Sequence, residues 1–456
     1  MYYAACVGHI ASINSRLGLV ASFLPISVQI PIVLVRYDSV VAPGRMSPLR
    51  SVTTNHQNYI MLKSLLTFLF LVLPLAVSPQ RVYKPVKAAL KAKNYKEVIS
   101  HVEQLRKDSL HRFDPKLCLY SIEANRGLND AENMKIYLKR SYDTIAFFST
   151  THQIIREAIY LDSLERANSE KNKKKEKQAD FVCEQLKRYF PNLQAAARYF
   201  YKSRKYSEAM SYLRTCLELP HTALGQQAAL STKGEPLNAC LYLTSAYNEK
   251  LYAEVHRYEQ LALTDSLSRQ SILACLVYTA EAEKNPKAYQ SFLEIGWKEY
   301  PLQSMFFTRL VDFYSDNNRF VDVLRVADVQ LERDSVDISA LLARCIGYLN
   351  LKCFDECIAA GKHLQRVDTA NVEANYYIGA SYVAKALQVQ LPENAFSDNY
   401  RNKYHERTDF YRKAEPYLES YRKQTPNLKT RWAPLLYKVY LALNRGSKFA
   451  EIEKLL

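Results

Sequence analysis

Apolar and small residues recur along most of this chain at the spacing of one helical face. Val255, Tyr289, Val323 and Cys357 are separated by three successive steps of 34 residues, and each follows by three positions a ring residue: Tyr252, Pro286, Phe320 and Phe354. The same frame returns with insertions, where Tyr95 precedes Val98, Tyr206 precedes Ala209, Tyr411 precedes Ala414 and Phe449 precedes Ile452. Beyond each anchor, further apolar or small residues fall four and seven positions on, as in Leu213 and Cys216, Leu293 and Gly296, and Leu418 and Tyr421. That spacing lines one side of a helix. Pro220, Pro301 and Pro426 stand eleven or twelve positions past their anchors, where a residue lacking an amide hydrogen ends a helix. Twelve residues before the anchors come Ala197, Leu243, Val277, Val311 and Cys345, each followed three positions later by Phe200, Ala246, Ala280, Tyr314 or Tyr348. Two helices of about 14 residues, a tight turn and a short link make up one 34-residue hairpin, so the pattern predicts an all-α chain of stacked antiparallel helix pairs.

With a small residue, an aromatic and a terminal proline at these offsets, the chain resembles the tetratricopeptide (TPR) family. The stretch Leu193 to Pro220, LQAAARYFYKSRKYSEAMSYLRTCLELP, carries Ala197, Tyr206, Ala209 and Pro220 in the expected slots. Other copies depart: Leu243 and Val311 stand for a small residue, and Glu259 for an apolar one. The resemblance implies an α-solenoid of helix-turn-helix repeats over residues 81–456, wound into a right-handed superhelix whose concave surface grips a protein or peptide. In that register the inner surface presents Arg198, Tyr201, Lys202, Thr244, Tyr247, Asn248, Tyr278, Asp312, Ser315 and Asp316. The Lys, Asn and Arg set with which one TPR subclass clamps a terminal carboxylate is not found.

Three segments break the rhythm. The charged run SEKNKKKEKQ at 169–178 interrupts a hairpin whose second helix is expected to run from about Ala179 to Pro191. Excess residues are placed in the polar link 221–235 and, between the helices of one hairpin, at 388–405, which holds Pro392, Phe396, Tyr400 and Tyr404. Insertions of this kind map to one face of a solenoid and often border its binding surface.

The first 80 residues differ in kind. Residues 1–60 carry four Arg, no Lys and one acidic residue with no helical period, whereas Met61 opens MLKSLLTFLFLVLPLAVSPQ, the layout of a secretory signal. The expectation is that 1–60 is an upstream extension, 61–80 a signal peptide, and the rest exported to the periplasm or beyond. Membrane anchoring by the N-terminal region is the alternative.

Composition adds charge. The 62 basic and 46 acidic residues leave +16, and removing residues 1–60 still leaves +13. The densest basic run, 169–178, reads first as a solvated charged turn, with attraction to an acidic partner or anionic lipid head groups as the alternative; it lacks the interleaved aromatics of a nucleic-acid site, and no nucleic-acid partner is expected. Only 11 glycines occur, against 34 tyrosines, most of them read as packing residues with a wet hydroxyl. Cys216, Cys345 and Cys357 fall in small-residue slots, which favours packed thiols, although Cys345 and Cys357 face each other across one hairpin and invite a disulfide. Cys353, Cys357 and His363 lack a second matching pair for a metal, so neither metal nor cofactor is expected.

No glycine-rich phosphate loop, G-x-S-x-G elbow, H-E-x-x-H or C-x-x-C pair is present, and the nine histidines are scattered. The reading that remains is a non-catalytic scaffold. A glycan- or lipid-binding accessory protein of the outer membrane is the rival, with the tyrosines and the 388–405 segment as its platform.

Overall fold

The computed structural model describes residues 82–167 and 173–456. The extension at 1–60, the signal layout at 61–80 and the first residues of the 169–178 run lie outside the described residues.

Among the described residues the fold comprises twenty α-helices and two short 3-10 turns and no strand. The first pair is α1 (Lys84–Lys91) and α2 (Tyr95–Lys107), followed by the long pair α3 (Pro115–Tyr137) and α4 (Thr144–Ala167). Next come α5 (Lys173–Lys202) with α6 (Tyr206–Glu218), a short α7 (Ala223–Gln227), and α8 (Glu235–Asn248), whose partner is split into α9 (Tyr252–Val255) and α10 (Glu259–Ala262). Three regular pairs follow: α11 (Arg269–Ala282) with α12 (Pro286–Glu299), α13 (Ser304–Asp316) with α14 (Phe320–Arg333), and α15 (Ile338–Asn350) with α16 (Phe354–Val367). The last two are α17 (Val372–Gln388) with α18 (Asp398–Gln424) and α19 (Lys429–Ala442) with α20 (Gly446–Glu453). Each helix packs chiefly on its sequence neighbours, which is how a solenoid buries its apolar faces.

The repeat positions occupy the seam. Val98, Ala209, Val255, Val323, Cys357, Ala414 and Ile452 are buried, as are Ala197, Leu243, Val277, Val311 and Cys345 on the first helices. Tyr289 and Tyr348 are half-buried. α12 and α18 stop just before Pro301 and Pro426, and α6 gives way to a 3-10 turn that contains Pro220.

Pro191 does not end its helix, contrary to expectation: α5 runs through it to Lys202 and joins the second helix of one pair to the first of the next. Proline deletes one amide donor but leaves the other bonds of a long helix intact, and Leu186, Leu193 and Ala197, all fully buried, hold both halves in the core. Pro416 lies inside α18 in the same way. The break after α9 has a cause in sequence. Glu259 cannot enter the core at the apolar slot, a 3-10 turn covers His256–Tyr258, and the Tyr258 ring meets Tyr242 edge-on at 4.8 Å. The link 221–235 contains α7, and the 388–405 insertion resolves into a loop at 389–397 followed by the first turns of α18.

Eight turns between paired helices use one device. Lys93, Lys139, Arg204, Lys250, Lys284, Asn318, Lys352 and Asn444 adopt left-handed backbone, with φ between 53° and 62°. Around Lys284 its own N–H donates to the Glu281 carbonyl at 3.1 Å, and the Asn285 N–H donates to Ala280 at 2.9 Å, closing the helix end. Glycine takes this conformation without the Cβ penalty. Lys284→Gly is therefore expected to stabilise the protein by about 0.5–1 kcal/mol, the relief of strain exceeding the added freedom of the unfolded chain. A rise in urea midpoint at constant m-value checks it.

The cysteines of the described residues are free thiols. Cys345 and Cys357 meet in the core without a disulfide, the Cys357 thiol donating to the Cys345 carbonyl at 3.4 Å. His152 on α4 stacks on Tyr212 of α6 with ring centres 4.4 Å apart. Burial, helped by the charge of Arg156, lowers its pKa to about 4. The folded state thus refuses a proton that the unfolded chain accepts near pH 6.5, so stability is complete above that pH and falls as pH drops towards 4. The loss is on the order of 3 kcal/mol. His152→Gln should flatten that part of the stability–pH curve, as measured by urea unfolding between pH 7 and 4.

Candidate partner-binding face

Four consecutive first helices, α5, α8, α11 and α13, present the residues singled out by register. Tyr201, near the end of α5, is half-buried; its hydroxyl faces the Thr244 side chain on α8, and its ring meets Tyr206 edge-on at 5.9 Å. Lost hydration raises its pKa. Tyr247 on α8 and Tyr278 on α11 lie with ring centres 6.5 Å apart, and the Arg309 guanidinium of α13 sits 4.7 Å from the Tyr278 ring centre. Aromatic and guanidinium planes therefore pass from one hairpin to the next across three first helices.

The Arg309 guanidinium is fixed by donating to Glu281 at 3.0 Å and to the Tyr289 hydroxyl at 3.2 Å. Partial burial opposes its charge, but the Tyr289 bond and the neighbouring acid outweigh that and keep it protonated. Asp312, one turn further along α13, is open to solvent yet crowded by protein on its flanks. Its carboxyl is raised above the usual carboxylate range by lost hydration and then by the charge of Asp316, with Arg309 opposing. Cys275 lies beneath Tyr201 and Tyr247, its thiol pushed up to about 11 by burial.

Not every register residue is available. Asn248 turns back to donate to the Thr244 carbonyl at 2.7 Å, Thr244 donates to the Cys240 carbonyl at 2.8 Å, and Ser315 donates to Val311 at 2.8 Å. Arg198 and Lys202 are exposed on α5; Arg198 leans towards the α7–α8 turn, 4.0 Å from where a Cβ on Gly234 would stand. Asp316 is exposed at the end of α13. Arg309 escaped the register reading although the signal was present: it precedes Asp312 by three residues and so shares its helical face.

Between α12 and α14, an open groove of about 350 Å³ is lined by Glu294, Trp297, Lys298, Arg325, Val329 and Arg333. Trp297 donates to the Gln330 side chain at 3.0 Å and carries Arg333 over its ring at 5.2 Å, so the indole serves the packing of the two helices. No group of three or more metal-ligating side chains occurs among the described residues, and no described helix is long and apolar enough to cross a membrane.

This is a TPR-like α-solenoid. No family model and no curated protein matches the chain. Among solved structures it is similar to the crystal structure of the P58(IPK) TPR domain, at 11% identity and a TM-score of 0.24, with 80% of this chain and 98% of that one covered. It is also similar to the APC/C hetero-tetramer Cut9–Hcn1, at 12% identity and a TM-score of 0.23, covering 86% and 82%. A circular tandem repeat protein with novel repeat topology matches at 12% identity and a TM-score of 0.19, covering 82% and 93%. At such scores the fold stands on the chain's own 34-residue helix pairs.

Proposed function

We propose that this chain is a non-catalytic, exported scaffold that binds a protein or peptide partner on the face lined by its first helices. The observation that carries the reading is the strip Tyr201–Thr244, Tyr247–Tyr278–Arg309, which runs unbroken across four hairpins with its rings half-buried. Core residues would be sealed, and a merely solvated face would not align rings and a guanidinium from repeat to repeat. Tyrosine brings a large contact area at low entropic cost, and Arg309 is already held by Glu281 and Tyr289, the chemistry of interface anchors. Asp312 and Asp316 at one end add a place for a basic side chain. The signal layout from Met61 supports export.

The test is crosslinking and mass spectrometry on envelope fractions, comparing wild type with a Tyr201→Ala, Tyr247→Ala, Arg309→Ala variant whose circular dichroism is unchanged. A partner captured by wild type and reduced at least about tenfold in the variant is expected, each anchor contributing about 1–2 kcal/mol. Equal capture rejects this face. The second reading, a glycan platform, is favoured by one feature: Tyr400 and Tyr404 stack at 6.2 Å in an exposed segment beside Phe396, which is 92% exposed. Glycan-array binding abolished by Tyr404→Ala would support it.

A further inference from the structure

A second surface lies at the hairpin turns and meets the first-helix face at Lys202. Six of the eight left-handed turn positions are basic, namely Lys93, Lys139, Arg204, Lys250, Lys284 and Lys352, at sites where glycine is the physically favoured residue. Successive turns between paired helices fall on one edge of a solenoid, so these charges recur along that edge.

The edge is most developed at the α3–α4 and α5–α6 turns. Phe148, in the second turn of α4, packs on Tyr199 and Phe200 near the end of α5 at 5.4 and 6.4 Å, which brings the two turns side by side. Lys139, Arg140, Lys202, Arg204 and Lys205 are all exposed there, and none has an ionic partner among the described residues. Two of the nearby acids are otherwise engaged. Glu132 takes Lys135 at 2.7 Å and the Asp143 N–H at 2.8 Å, while Asp143 accepts the Ala146 N–H at 2.9 Å as the cap of α4. Glu208, in the first turn of α6, is an exposed acid of the α5–α6 side.

Between the cations the α3–α4 turn holds out apolar side chains. Tyr137 is 82% exposed, and Met134, Leu138, Tyr142 and Ile145 are exposed beside it. The turn is rigidly built: Lys139 and Arg140 donate their N–H groups to Ile136 and Lys135 at 2.9 and 2.8 Å. Below it Asn129 ties α3 to α4 by donating to the Phe147 carbonyl at 2.9 Å. An apolar tip ringed by unpaired cations suits an interface that is apolar inside and anionic outside. A lipid surface meets both features at once, phosphates for the cations and an apolar boundary for the tip, whereas nucleic-acid phosphates meet the cations alone; an acidic protein with an apolar patch is the competing occupant that the test separates.

We propose that the α3–α4 and α5–α6 turns dock this chain onto an anionic lipid surface, with Tyr137, Leu138 and Ile145 entering the headgroup region and the five free cations meeting lipid phosphates. The proposal shares only Lys202 with the first-helix face and does not rest on that face binding a partner. It is tested by sedimentation of the purified chain with vesicles of pure phosphatidylcholine and of phosphatidylcholine with phosphatidylglycerol, at low and high salt.

Salt-sensitive binding to the anionic vesicles alone is expected. A Lys139→Glu, Arg140→Glu, Arg204→Glu, Lys205→Glu variant should bind at least about a hundredfold more weakly. Tyr137→Ser with Leu138→Ser should weaken binding about tenfold at unchanged salt dependence. Tyr247→Ala with Tyr278→Ala should leave it intact, which separates this surface from the partner-binding face. Failure of wild type to sediment with anionic vesicles overturns the proposal, as does equal binding to both vesicle types or indifference to both turn variants. Binding to polyglutamate but not to vesicles overturns it in favour of an acidic protein.

Discussion

Replacing Phe306 by alanine is expected to destabilise the protein by about 3–5 kcal/mol, the range for emptying a well-packed aromatic site. Phe306 opens α13 and is only 1% exposed. Its ring lies over Gly296 of α12 so closely that a Cβ built on that glycine would stand 2.3 Å from it. The contact joins the second helix of one hairpin to the first helix of the next, and nearest-neighbour interfaces of this kind hold a solenoid together. The same geometry sets a second expectation. Gly296→Ala gains roughly 1 kcal/mol of helix propensity but must displace a buried ring, and the net effect should be destabilising. Phe306→Leu should partly relieve Gly296→Ala, with a coupling of about 1 kcal/mol in a double-mutant cycle. Urea unfolding measures the energies, and hydrogen exchange should place the loss in α12 and α13. Additive single and double effects would show that the two positions do not share one packing site.

Arg106→Ala is expected to cost about 3 kcal/mol, because removing one partner of a buried pair strands the other charge. Arg106 of α2 forks onto Glu157 of α4, donating at 2.8 Å to Oε1 and 2.5 Å to Oε2. The Glu157 side chain is only 7% exposed, whereas that of Arg106 is 31% exposed, which puts the cost at the lower end of the usual range. α3 lies between the two helices in sequence, so the pair staples the first hairpin to the second. Because the penalty is that of an orphaned carboxylate, Arg106→Ala with Glu157→Leu should recover most of it. A double variant as unstable as the single would show instead that the arginine stem, and not its charge, supplies the stability. Thermal unfolding of the two variants side by side distinguishes these outcomes.

The helix pairs were legible in sequence because packing geometry repeats: each seam needs a small or apolar residue at the same offset, and Ala197, Ala209, Val323 and Cys357 all lie buried where the 34-residue frame puts them. What the frame missed is local. Pro191 is tolerated inside α5 because buried contacts on either side outweigh one lost amide bond, and proline position alone does not report that balance. The split after α9 could have been read from Glu259, the one polar residue at its apolar slot among the regular copies. The left-handed turn positions were hidden because lysine, arginine or asparagine occupies a site where glycine would have announced it.

The candidate face was only half legible. Register placed Tyr201, Tyr247, Tyr278 and Asp312 on the first helices, and the rings of Tyr247 and Tyr278 do meet. Register does not report competition from a helix's own carbonyls, which takes up Thr244, Asn248 and Ser315. Arg309 was not singled out although it shares the helical face of Asp312; its place is fixed by Glu281 and Tyr289 on the neighbouring hairpin.

The central claim, that a protein partner lies along the first helices, is tested most directly by placing a photo-crosslinking amino acid at Tyr247 or Tyr278 in one set of cells and at Lys298 in the α12–α14 groove in another. One discrete protein adduct is expected from both first-helix positions and none from Lys298. Adducts from Lys298 alone, or none from either first-helix position in folded protein, would contradict it.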